Sequence, residues 1–105
     1  MTHDEIVAEI QTRADARGVR THYCRKSVTC TGDRGLPDLF LCGPDGVAWI
    51  EVKTPGDQLK PQQTAWKYAL VAAGQVYRVF REWHLMQSGH VNDLLDDLAG
   101  LSTPG

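Results

Sequence analysis

Cysteine is scarce in this chain, and the three present make no recognisable set. Cys24, Cys30 and Cys42 form no CxxC pair and have no downstream His at finger spacing, so neither a disulfide framework nor a zinc finger is indicated. They read as reduced packing residues. Long apolar runs are absent too: nothing approaches the roughly 18 residues of a membrane helix. The opening "MTHDEIVAEI" lacks the basic, then apolar, order of a secretory signal. The expected location is the cytoplasm, with no membrane partner. Strong net charge is missing as well; at −2, the chain does not suit indiscriminate coating of nucleic acid. There is no internal repeat or low-complexity segment. Basic residues stop at Arg81: all eleven Lys and Arg fall at or before it with nine acids, and only acids (Glu82, Asp93, Asp96 and Asp97) follow. A mildly basic body with an acidic tail is compatible with a DNA-facing surface.

What is present suits one α/β domain. Its 105 residues are 42% hydrophobic and 23% charged, enough for one modest core. Residues 1–100 are read as that domain and 101–105 as a frayed tail. Ile6, Val7, Ile10 and Ala14 recur at helical spacing, predicting a helix over 3–17 stopped by Gly18. "VRTHYC" from Val19 predicts a strand in which Tyr23 is a core residue. "RKSVTCTGDRG" predicts a loop. "LPDLFLC" and "VAWIEVK" are the second and third strands, joined by "GPDG" (Gly43 to Gly46) as a hairpin turn. Pro61 opens a helix that Gly74 ends, with Trp66, Ala69, Leu70 and Ala73 as its inward stripe. "QVYRVFR" is a last strand, and residues 91–99 are a short amphipathic helix. His22, His84 and His90 have no metal-ligand spacing and read as surface or packing residues.

The third strand poses a chemical problem. Glu51 and Lys53 share a face within an otherwise apolar segment. An edge-strand ion pair would be worth little, whereas a central strand would bury both charges at a cost of several kcal/mol each. The hairpin brings Asp38 roughly opposite the end of the third strand. Asp38, Glu51 and Lys53 can therefore converge at one end of the hairpin. Two adjacent carboxylates repel unless a cation lies between them, and Mg²⁺, an oxygen-seeking ion that keeps several waters, is the natural occupant. A neighbouring lysine can position a water or steady a phosphate's charge.

Pro37-Asp38, twelve residues, then Glu51-Val52-Lys53 is the PD-(D/E)xK spacing, a weak pattern by itself. The wider stretch "GLPDLFLC…WIEVKTPGDQLKPQQTAWKYALVAAGQVYRVFR", Gly35 to Arg81, resembles the VRR-NUC nuclease family. That family reads roughly G-x-P-D-L, E-[VL]-K, L-[ST]-P-x-Q-x-x-W, then a Gly and a V-x-V strand. Lys60 stands where the family often has Ser or Thr, which weakens a helix cap. With the first helix, the resemblance covers residues 3–81. It implies a restriction endonuclease-like core, α-β-β-β-α-β plus a short C-terminal helix, with a central mixed sheet flanked by helices.

It also implies roles. Asp38 and Glu51 resemble the metal-binding carboxylates, with the Val52 carbonyl as a further ligand. Lys53 resembles the catalytic lysine, and Gln63 the family's glutamine at the start of the second helix. Gln63 also shares the inward stripe of Trp66 and Leu70, where a polar group needs a partner. The family's first-helix carboxylate falls near His3 or Glu5; Glu5 is chosen here ahead of Glu9, and a His3 in that place would weaken metal binding. Arg25, Lys26 and Arg34, in the loop before Asp38, are expected to contact DNA phosphates. The whole implies a Mg²⁺-dependent DNA endonuclease, with Mn²⁺ as substitute and no small-molecule cofactor. It is expected to select branched DNA such as Holliday junctions and to work as a homodimer whose interface is "QVYRVFR", the last helix, or both. The alternative is a nuclease-fold module that binds branched DNA or a protein without cutting.

Overall fold

The computed structural model describes residues 1–23, 35–87 and 89–101. Helix α1 spans His3–Asp15, β1 Arg20–Tyr23, β2 Leu39–Gly43, β3 Gly46–Val52, α2 Pro61–Ala72, β4 Val76–Phe80, α3 Glu82–Met86 and α4 His90–Ala99. The four strands form one mixed sheet in the order β1-β2-β3-β4, antiparallel except for the parallel β3–β4 pair. This is the flanked mixed sheet expected of a restriction endonuclease-like core, and β3, the strand carrying Glu51, lies inside it.

The alternation of β2 and β3 sorts their side chains to two faces. Leu39, Leu41, Ala48, Ile50 and Val52 are fully buried on one face, against Ile6, Val7, Ile10 and Ala14 of α1 and Val91, Leu95 and Leu98 of α4. Polar links tie α1 to α4 and α3: Arg17 Nε donates to Asp96 Oδ1 at 2.6 Å, and Arg13 reaches Asn92 of α4 and the Leu85 carbonyl of α3. Gly43 lets α4 approach, because a Cβ there would lie 2.2 Å from the Leu98 carbonyl oxygen. The opposite face carries Phe40, Trp49, Glu51 and Tyr77. Phe40 and Trp49 pack with their rings tilted, 4.6 Å between centroids.

Four details depart from the sequence reading. Helix α1 ends at Asp15, with Ala16–Gly18 as a turn. β2 starts at Leu39, so Asp38 stands just before the strand. In α2 only Leu70 is buried; Ala69 and Ala73 are exposed and Trp66 is half-buried. The expected stripe finds little to cover because the helix lies mainly along β4. A short helix, α3, was not expected; five residues hold too little periodicity to reveal it, although Leu85 reaches the core. Cys42 is a free thiol, while Cys24 and Cys30 lie outside the described residues.

Candidate active site

The hairpin turn sets the geometry. Gly43 pairs with Gly46 and Leu39 with Ile50, so one residue further out Asp38 comes opposite Glu51. Asp38 Oδ2 accepts the Val52 N–H at 3.0 Å, which fixes its carboxylate against the last residue of β3. Lys53 follows directly, its own N–H donating to the Phe80 carbonyl at 3.1 Å, so β4 seats the lysine. Glu51 is 1% exposed and Lys53 3%. The bland reading of an exposed edge pair therefore fails.

Gln63, in the first turn of α2, joins the two. Its Nε2 donates to Glu51 Oε1 at 3.1 Å, and its Oε1 accepts from Lys53 Nζ at 2.9 Å. The same Oε1 accepts the Lys60 N–H at 2.9 Å, one half of a capping box whose other half the lysine side chain, having no acceptor, cannot make. Lys53 Nζ lies 3.7 Å from Glu51 Oε1 and 3.6 Å from Asp57 Oδ2. Arg81, just past β4, donates to the carbonyls of Thr54 and Asp57 at 2.9 and 2.8 Å, clamping the loop that carries Asp57. Asp57 and Arg81 carry no motif signature, and the contacts of Arg81 cross 24 and 27 residues of chain.

The α1 contribution is His3. Its Nε2 lies 3.2 Å from Asp38 Oδ2, and its Nδ1 lies 3.2 Å from the Tyr23 hydroxyl. That hydroxyl donates to Asp4 Oδ1 at 2.7 Å, so it accepts from Nδ1–H. Both ring nitrogens thus face oxygen atoms that can accept, an arrangement that favours the protonated ring. Its bond to Asp38 accordingly raises the His3 pKa. Glu5, expected here, is not brought to this corner. It is exposed, and its Oε1 accepts the Thr2 N–H at 2.7 Å while its own N–H donates to the Thr2 hydroxyl, a capping box. Glu9 pairs with Arg13. Tyr23, expected as a core residue, is half-buried and orients His3. Arg25, Lys26 and Arg34 lie outside the described residues.

The electrostatics of the corner are lopsided. Burial, then the charge of Asp38, push Glu51 up to about 8, against the pull of Lys53. Burial alone would raise Asp38 too, but hydrogen bonds from His3 and the Val52 amide hold it below its ordinary value. Among the described residues Glu51 Oε2 is buried without a hydrogen-bond partner. Among the described residues no three His, Cys, Asp or Glu side chains form a preformed ion cage. Two carboxylates and the Val52 carbonyl are nevertheless a donor set that suits a hard divalent cation completing its shell with water and phosphate oxygens.

Comparison with known proteins places this corner in a family. Residues 5–81 match the VRR-NUC domain. A solved structure described as a VRR_NUC domain aligns with a TM-score of 0.69 over 90% of this chain and 94% of its own, at 20% identity. A second, a VRR_NUC domain protein, aligns with a TM-score of 0.64 over 97% and 91%, at 18% identity. At such identities these likenesses speak for the fold alone. No curated protein matches. None of the helices among the described residues is long and apolar enough to cross a membrane. Because the family match spans most of the sequence and includes Asp38, Glu51, Lys53 and Gln63, the chain belongs to the VRR-NUC domain family and carries its nuclease fold.

Proposed function

We propose that this domain is a Mg²⁺-dependent DNA endonuclease, with Mn²⁺ as a working substitute. The observation that carries the reading is the convergence of Asp38, Glu51, Lys53 and Gln63 at the end of β3, with both charged strand residues buried. Asp38, Glu51 and the Val52 carbonyl would hold the ion, which when bound would activate a water and neutralise charge on the scissile phosphate. Lys53 is the group placed to orient that water or to meet charge developing on the phosphate. Gln63 holds Lys53 and Glu51 in one fixed relation, so neither has to be ordered during the reaction.

The DNA is proposed to be branched, read through its backbone and shape, with Arg25, Lys26 and Arg34 contacting phosphates. A homodimer would give two symmetry-related cuts. Its proposed interface is β4, one of the two outer strands of the sheet, because α4 already spends its apolar side on its own core. A second reading, a module that binds branched DNA or a protein without cutting, is favoured by one observation: a histidine, His3, and not a carboxylate faces Asp38 from the first helix.

The test incubates supercoiled plasmid, linear duplex, a flap and a four-way junction with wild type or Asp38→Ala, in Mg²⁺ or Mn²⁺. Cleavage by wild type alone, fastest on the branched substrates, is the expected result. Equal behaviour of the two proteins would overturn the catalytic reading, and retarded but uncut junctions would establish the second.

A further inference from the structure

Two buried side-chain polar atoms have no protein hydrogen-bond partner among the described residues: Glu51 Oε2 and the Tyr77 hydroxyl. A solitary orphan in a native fold costs stability; these two belong to residues on the same face of the sheet. Tyr77 pairs in register with Trp49, and Val79 with Glu51, across the parallel β3–β4 ladder. Tyr77 and Glu51 therefore lie on one sheet face, one ladder step apart, 6% and 1% exposed. Burial, then the charges of Glu51 and Asp38, push the Tyr77 phenol up to about 12, an independent sign that its oxygen senses the carboxylate pair. Phe would fill the same space without burying a hydroxyl.

We propose that Tyr77 is a positioning residue of the site, its hydroxyl serving as the hydrogen-bond partner of Glu51 Oε2 through one buried water. A water placed there has polar groups on two sides, as buried waters require. Glu51 is then held at both oxygens, Oε1 by Gln63 and Oε2 from the β4 side, so its carboxylate cannot rotate away from Asp38. An outer partner of this kind aligns a ligand without touching the ion or the substrate.

The decisive variant is Tyr77→Phe, which keeps the ring and its packing. In metal-free protein it melts a few degrees lower than wild type, and in a Glu51→Gln background the same change costs less than half as much, because the two sites are coupled. Titration with Mn²⁺ alone shows roughly tenfold weaker binding. The kinetic arm rests on the nuclease reading: kcat falls with KM for DNA unchanged. An unbridged hydroxyl predicts the reverse sign, with Tyr77→Phe melting at the same or higher temperature and additive with Glu51→Gln; that result would overturn the proposal. Melting and the double-mutant cycle need neither metal nor DNA, so a wild type that never cleaves leaves them decisive.

Discussion

At the scale of single residues, Glu51 sets how the protein responds to pH. Its folded pKa of about 8 stands above its ordinary 4.5. Such a group contributes stability fully below the unfolded value and loses it as pH rises through the folded one. Metal-free protein should therefore melt at progressively lower temperature from about pH 5 to pH 8, by at most about 1.4 kcal/mol per pH unit for one proton. His3, also raised, acts in the same direction; Asp38, lowered, acts only at the acid end. Thermal melts of wild type and Glu51→Gln across that window check this, and the variant's curve should be flatter. Saturating Mn²⁺ at pH 8 should restore wild-type stability, by about 2.7 kcal/mol at a hundredfold excess over Kd. A second expectation separates Lys53 from Gln63. Lys53→Met should lower kcat by ~100-fold, whereas Gln63→Ala, which leaves the amine present but less ordered, should cost less. Single-turnover cleavage measures both.

At the scale of elements, contacts distant in sequence hold the site together. Arg81→Ala removes two charge-assisted bonds to the loop at Thr54 and Asp57, a loss of about 1.5–3 kcal/mol for each bond to a charged group if nothing replaces it. Hydrogen exchange should quicken over residues 54–57, with a smaller fall in melting temperature than the summed bonds suggest. Gly43→Ala is the harsher change, because backbone at Leu98 cannot yield to a Cβ; a loss of several kcal/mol by chemical denaturation is expected. Much of this layer was legible beforehand. The β2–β3 hairpin followed from "GPDG" and from apolar alternation, and with it the meeting of Asp38, Glu51 and Lys53. Gln63 was legible because it breaks an apolar stripe. What escaped was whatever only tertiary packing decides. Glu5 and His3 lie two positions apart in one helical turn, and the Thr2 cap claims the former. Arg81 and Tyr77 look like ordinary strand residues until β4 is laid beside β3. The α2 stripe misled because apolar spacing says nothing of how much sheet is available to cover it.

At the scale of the whole molecule, α2 leaves Tyr68 67% and Val71 55% exposed, and β4 has a strand on one side only. Such an edge invites pairing. Sedimentation equilibrium should report a dimer at micromolar concentration, and a reversed charge at the exposed β4 residue Arg78, Arg78→Glu, should shift it towards monomer. A monomer persisting at high micromolar concentration would remove the two-cut scheme while leaving the chemistry of the corner intact.

Because Lys53 is seated by the Phe80 carbonyl and gripped by Gln63, its place exists only after the crossover through α2 has closed and the last strand has zipped alongside the third. A chain that has made its hairpin alone holds both acids but not the amine's berth. Long-range parallel pairing forms more slowly than a local hairpin, so on the proposed nuclease reading the amine would join the two acids only once β4 has docked.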